Sequence, residues 1–184
     1  MLIVGLGAAC APVLSADQIL QVAIQAGFPL TDGSPSTAEK MTAIALRESG
    51  GCPNAHNPGP GEDSYGLWQI NVQGNPTILT RLGLSDPTAL YDPATNAAAA
   101  YMLWGGNDQN LDTAWYINRP GYQDAYLAQL PAAQQAAANL LGIQAPGDSG
   151  PVLSAGLSLG GLTGGQIAMG VGAALLLGLV LFKL

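Results

Sequence analysis

The sequence predicts a mainly α-helical domain followed by a Gly-rich linker and a C-terminal hydrophobic helix. Three observations lead there. Apolar residues recur at helical spacing behind N-cap signals along most of the first 143 positions. No period-2 alternation runs beyond a few residues, so strands are hardly signalled. From residue 144 the composition turns to Gly, Ser, Pro and Leu, and an uncharged apolar run follows. The expected organisation is an apolar N-terminal arm at 1–16, a domain at 17–143, a linker at 144–161 and a hydrophobic helix at 162–184.

Charge narrows the function classes. Only 9% of the 184 residues are charged and the net charge is −7, against roughly a quarter charged in ordinary soluble domains. Five Lys and Arg residues make too small a basic surface for nucleic acid or for anionic lipid headgroups. Two cysteines and one histidine, with no CxxC, leave no zinc signature, and no metal ion or cofactor is expected. Cys10 and Cys52 are either a disulfide or two unrelated thiols. Spacing supplies no distance, and two unrelated thiols is the expectation.

Taken in order, Met1 to Ala16 is apolar but has no basic n-region, which argues for an uncleaved arm packed on the domain, a partner or a membrane. Ser15 and Gln18 form a capping box ahead of Ile19, Leu20, Ala23 and Ala26, and Gly27 ends that helix. Phe28 to Pro35 is a turn-rich connector. A second capping box, Ser36 with Glu39, opens a helix in which Met41, Ile44, Ala45 and Glu48 share one face. Gly50 and Gly51 stop it. Glu48 is thus expected on the buried face of the last turn. Burial and the negative helix end would both raise its pKa, as a general acid near neutral pH requires. A solvated helix-end acid fits the helix pattern equally well.

The stretch Cys52 to Ser64 reads as a loop, with three prolines, Glu62, Asp63 and a backbone-bonded His56. In Ser64 to Val72, Gly66 allows close approach of the backbone to a ligand or to the Glu48 helix. Trp68 is a core residue or a sugar-stacking platform. Gln69 carries amide donors and an acceptor suited to hydroxyl and N-acetyl groups. Asp86-Pro87 and Asp92-Pro93 are N-cap acids before a first-turn proline, and the second opens a helix from Pro93 to about Trp104. Two short helices are expected over Tyr122 to Leu130 and Ala132 to Leu141.

The pair Glu48-Ser49-Gly50-Gly51 and Ser64-Tyr65-Gly66-Leu67-Trp68-Gln69-Ile70-Asn71 resembles the soluble lytic transglycosylase and goose-type lysozyme superfamily, most closely its phage-associated branch. The run from Asp92 to Trp104, with Asn96, resembles that family's third motif. Trp115 to Tyr122 resembles the closing Trp/Tyr/Gly segment of phage-type members, and the likeness covers about 16–130. It implies a lysozyme-like, SLT-type domain with Glu48 catalytic. It further implies Ser64, Gln69, Asn71, Asn96, Tyr116 and Tyr122 along a groove for peptidoglycan glycan strands. Asn71 falls where goose-type enzymes carry an acid.

The implied activity is a lytic transglycosylase, or a lysozyme-type muramidase, cleaving the β-1,4 bond between N-acetylmuramic acid and N-acetylglucosamine. The implied setting is a virion, acting on the host wall in the periplasm during genome delivery. A membrane-anchored transglycosylase of the bacterial envelope is one alternative. A structural tail or membrane-channel component with a vestigial lysozyme-like fold is the other. The segment 162–184 is long and apolar enough to span a membrane or to sit within tail proteins. Gly170, Ala174 and Gly178 form a small-residue stripe through which copies would self-associate.

Overall fold

The computed structural model describes Cys10 and residues 12–143. The linker and the C-terminal helix lie outside the described residues, as does nearly all of the N-terminal arm. Within the described residues, no helix is long and apolar enough to cross a membrane.

Local capping chemistry sets the helices. In α1 (Ala16–Gln25) and α2 (Thr37–Ser49) both halves of the capping box form, at Ser15/Gln18 and Ser36/Glu39. Each pair satisfies two backbone N–H groups that the first turn would otherwise leave open. Gly50 closes α2 in the left-handed conformation, with φ of 64°. Asp92 accepts from the Thr95 N–H at 2.8 Å and opens α4 (Pro93–Trp104), which Gly105 ends. Asp86 caps only a short 3-10 turn, Pro87–Tyr91. Three further helices, α5 (Gln109–Trp115), α6 (Gln123–Leu127) and α7 (Leu130–Leu141), complete the domain after a single turn, α3 (Ile78–Arg81). The sequence signalled neither α3 nor α5, whose caps make no side-chain hydrogen bond. The predicted boundary before α7 is also displaced, since Pro131 lies in its first turn.

Helix α2 is the central element. It packs on α1, α6 and α7, burying Met41, Ile44 and Ala45 completely. Ala97, Ala99 and Ala100 of α4 and Ala133, Ala136 and Ala137 of α7 are buried too, so small side chains let these helices pack closely.

A three-stranded antiparallel sheet corrects the expectation of a loop between Cys52 and Ser64. Its strands are β1 (His56–Gly59), β2 (Glu62–Tyr65) and β3 (Ile70–Asn71), in that order. Pro60 and Gly61 make the tight turn between β1 and β2, placing His56 opposite Tyr65. The strands are too short for a hydrophobic alternation, and β1 consists of His, Asn, Pro and Gly. Turn geometry and cross-strand pairs hold them instead. The His56 and Tyr65 rings stack at 4.4 Å, and His56 Nε2 lies 2.8 Å from Asp63 Oδ1. His56 is therefore a side-chain-paired strand residue, not a backbone-bonded loop residue.

Cys10 and Cys52 form a disulfide with a Cα separation of 5.7 Å, which corrects the expectation of unrelated thiols. Nearby, the Leu14 N–H donates to the Gly51 carbonyl at 2.8 Å. A Cβ on Gly51 would stand 2.4 Å from the Leu14 carbonyl oxygen, so the approach requires glycine. Cys10 and Leu14 thus stitch the chain entering α1 across the end of α2. The bridge spans a sequence separation of 42, for which chain entropy gives a stabilisation of about 4 kcal/mol. Replacing both Cys10 and Cys52 by Ser is expected to lower the unfolding free energy by up to that amount in urea titrations, and reductant should do the same to the native protein.

Candidate active site

The last turn of α2 carries adjacent Arg47 and Glu48. The Arg47 side chain is only 8% exposed and that of Glu48 24%. Arg47 Nη2 donates to Glu48 Oε1 and also to the Trp115 carbonyl, at 2.7 Å for the latter. Burial pushes the Glu48 carboxyl above its ordinary range; Arg47 opposes this, and Glu62 adds a smaller upward push. Glu48 therefore lies in the last turn of α2 as expected, half-buried rather than fully on the buried face, with its proton held more tightly than usual. Arg47 was missed, because adjacent residues on a helix point about 100° apart and no periodicity signals their contact.

The segment from Ser64 to Asn71 is bound tightly to the helices. Trp68 is fully buried, and its indole Nε1 donates to the Met41 carbonyl of α2 at 2.9 Å. That settles Trp68 as core. Trp115 Nε1 donates in turn to the Trp68 carbonyl at 2.8 Å. Gly66, at φ of 78°, lies against α4 and the 3-10 turn. A Cβ there would be 2.3 Å from Asn96 Nδ2 and 2.4 Å from the Leu90 carbonyl oxygen. Its close approach is thus to Asn96 and Leu90, not to a ligand or to the Glu48 helix.

The six residues expected to contact glycan separate into two groups. Asn96 is fully buried. Its Oδ1 accepts from the Trp68 N–H at 2.9 Å, and its Nδ2 donates to the Tyr65 and Leu90 carbonyls at 2.8 and 2.9 Å. The amide is fully engaged with backbone, so Asn96 is a fastener between α4 and the sheet, and the glycan-contact expectation is corrected. Ser64 is 1% exposed, with its hydroxyl donating to Glu62 Oε1 at 3.3 Å, and its burial corrects the glycan-contact expectation there too.

Gln69, Asn71, Asn75, Asn110, Trp115 and Tyr116 line a cavity of about 430 Å³. Gln69 is a non-glycine residue at positive φ, 46°, and its Nε2 donates to the Ala55 and Gly66 carbonyls at 3.2 and 2.9 Å. It braces the turn as well as facing the cavity. Asn71 Oδ1 accepts from the Gly74 N–H at 3.0 Å. Tyr116 closes α5 in the left-handed conformation and lies edge-on to Tyr122, with ring centroids 5.6 Å apart. Both rings are over a third exposed, Tyr116 lies under Arg119, and the Arg47 guanidinium sits 5.7 Å from the Tyr122 ring. Among the described residues no group of His, Cys, Asp and Glu could hold a metal ion.

A family model described as a lysozyme-like domain matches residues 20–118, more than half of the chain. The chain belongs to the lysozyme-like domain family. No curated protein and no solved structure matches it. The matched span runs from α1 to just past α5 and includes Glu48, the sheet and Asn96. Membership brings a mostly helical fold and, at the level of the family, peptidoglycan-directed glycosidase or transglycosylase activity.

Within this lysozyme-like domain, Asn96→Ala would leave the Trp68 N–H and the Tyr65 and Leu90 carbonyls unpaired in the core. At roughly 1–3 kcal/mol for each buried unsatisfied group, a loss of about 3 kcal/mol or more is expected. Thermal melts should show a clear drop in Tm. A raised KM at unchanged Tm would instead return Asn96 to the groove.

Proposed function

We propose that the protein is a peptidoglycan lytic transglycosylase in which Glu48 serves first as general acid and then as general base. The observation that carries this is Glu48 itself. In a lysozyme-like domain, a mostly buried carboxyl with a raised pKa ends a rigid helix. A cavity large enough for a sugar is lined by Gln69, Asn71 and Trp115 but not by Glu48, and the Trp115 carbonyl accepts from the Arg47 guanidinium that also holds Glu48. Glu48 protonates the glycosidic oxygen as the C1–O bond breaks. It then takes the proton of the muramic acid 6-hydroxyl while O6 closes on C1, leaving a 1,6-anhydro product.

Neighbouring acids support the one-acid route. Asp63 is engaged by His56 and by the Tyr65 hydroxyl, at 2.8 and 3.2 Å, and position 71 is a neutral Asn. Hydrolysis is the second reading, and one observation favours it. Glu62 belongs to β2 rather than to a flexible loop, and its charge is felt at Glu48. A hydrolase needs a second carboxyl roughly 5–9.5 Å from the first.

The setting we favour is a virion whose enzyme opens the host wall, on the resemblance of the motifs around Glu48 and Gln69 to phage-associated members. A bacterial envelope enzyme and a vestigial structural component are the alternatives. The disulfide suits an oxidising compartment, as the cell-wall side of the membrane is. Membrane or tail partners, and self-association through 162–184, are part of the same proposal.

Glu48→Gln is expected to lower turnover of purified peptidoglycan by at least about 100-fold, the lower end of general acid–base contributions. Retained activity would reject the assignment. Mass spectrometry of the wild-type products should show 1,6-anhydro ends, and reducing ends would point to hydrolysis.

The acid must carry its proton, so activity should fall as pH rises through the raised Glu48 pKa. Because Glu62 pushes that pKa up, Glu62→Gln should move the alkaline limb to lower pH while activity is kept. Loss of activity in Glu62→Gln would favour hydrolysis.

A further inference from the structure

We propose that Arg47 is the positioning residue for Glu48, fixing its carboxyl through Oε1 so that Oε2 is the oxygen that carries and returns the proton. This rests on the reading of Glu48 as the general acid.

The geometry is unusual for neighbouring residues. Side chains at successive helix positions diverge, so helical structure does not bring Arg47 to Glu48. The guanidinium must be anchored from elsewhere, and the anchor is the Trp115 carbonyl, which shares Nη2 with Glu48 Oε1. The side chain is more than nine-tenths buried, and the Tyr122 ring lies 5.7 Å from the guanidinium carbon. Among the described residues Nη1 is buried with no hydrogen-bond partner. A buried N–H without a partner is costly, so the guanidinium is not arranged to satisfy all of its own donors. It is arranged to reach Glu48 and Trp115 together.

Chemistry then selects the oxygen. Arginine only donates, and it stays protonated at any working pH. The carboxyl oxygen that accepts from it does not also direct its own proton there. The Glu48 proton therefore resides on Oε2. In the first step the Oε2–H bond breaks, an O–H bond forms on the leaving sugar and the C1–O bond is cleaved. In the second, the 6-hydroxyl proton moves to Oε2 as the O6–C1 bond forms. Arg47 holds Oε1 throughout, and its charge faces the carboxylate that exists between the two steps. The charged group that opposes it at Glu48 is Glu62, and the phenols beside Arg47 are Tyr122 and Tyr126.

The test compares Arg47→Met, Arg47→Lys and Glu48→Gln in the full chain, with solubilised glycan strands as substrate and Tm as the folding control. Arg47→Met is expected to lower kcat about 10- to 100-fold, the scale of a misplaced catalytic group, with KM little changed. Its alkaline limb should move to higher pH, because the cation that lowered the acid's pKa is gone. Arg47→Lys should return the limb toward its original position but recover kcat only in part, since an ammonium lacks the planar fork. A merely structural arginine would lower Tm and leave the limb in place. If Arg47→Met does not fold, Arg47→Lys decides alone: a folded variant with wild-type kcat overturns the proposal, and a folded variant with reduced kcat supports it. Active Glu48→Gln would overturn the parent reading. Inactive Glu48→Gln beside fully active Arg47 variants would overturn this inference only.

Discussion

A closed circuit of hydrogen bonds holds the centre of this molecule. The Trp68 indole donates to the Met41 carbonyl of α2, the Trp115 indole donates to the Trp68 carbonyl, and Arg47 donates to the Trp115 carbonyl, returning to α2. Two large aromatic side chains bury their rings and still satisfy their single N–H, which is the condition for placing tryptophan in a core. The circuit thereby joins the helix bearing Glu48 to the segment bearing Gln69 and to the helix that ends at Tyr116, and the last two of these line the cavity.

Asn96 makes a second fastening from the other side. One amide pairs with three backbone groups drawn from the Tyr65–Trp68 turn and the Leu90 carbonyl. Such a group is costly to bury unless every partner is present, and here each is, so it specifies a single register between α4 and the sheet. Gly66 completes the arrangement by leaving out the Cβ that would collide with Asn96. Polar residues that look like ligand contacts in a motif can therefore be the reason the motif holds its shape.

Electrostatics at the site follow from how little charge the chain carries. With only 9% charged residues, few ions screen or compete around Glu48. Its environment is set by burial, one cation and one acid. Burial dominates, because taking a carboxylate from water is opposed more strongly than one partly shared guanidinium can offset. Asp63, tied into the His56–Tyr65 pair, is committed to the sheet.

The sequence by itself determined what depends on near neighbours. Capping boxes at Ser15 and Ser36, the Asp92-Pro93 start and the Gly50 and Gly105 stops are bonds or backbone preferences reaching no more than four residues, and they were legible as such. The burial of Met41, Ile44 and Ala45 in α2 and the place of Glu48 in its last turn follow from the same periodicity. The motifs that revealed the family are likewise local strings. Tertiary structure decided what depends on distance between remote residues. The Cys10–Cys52 bond needed two chain segments brought to 5.7 Å. The sheet needed a turn and cross-strand partners, since its strands lack the β-branched alternation that marks strands. Asn96 turned inward because its partners are backbone groups, which carry no sequence signature, and Ser64 because β2 packs it inward beside Glu62. Arg47 met Glu48 only because a carbonyl nearly seventy positions away, at Trp115, drew its guanidinium back across the helix end.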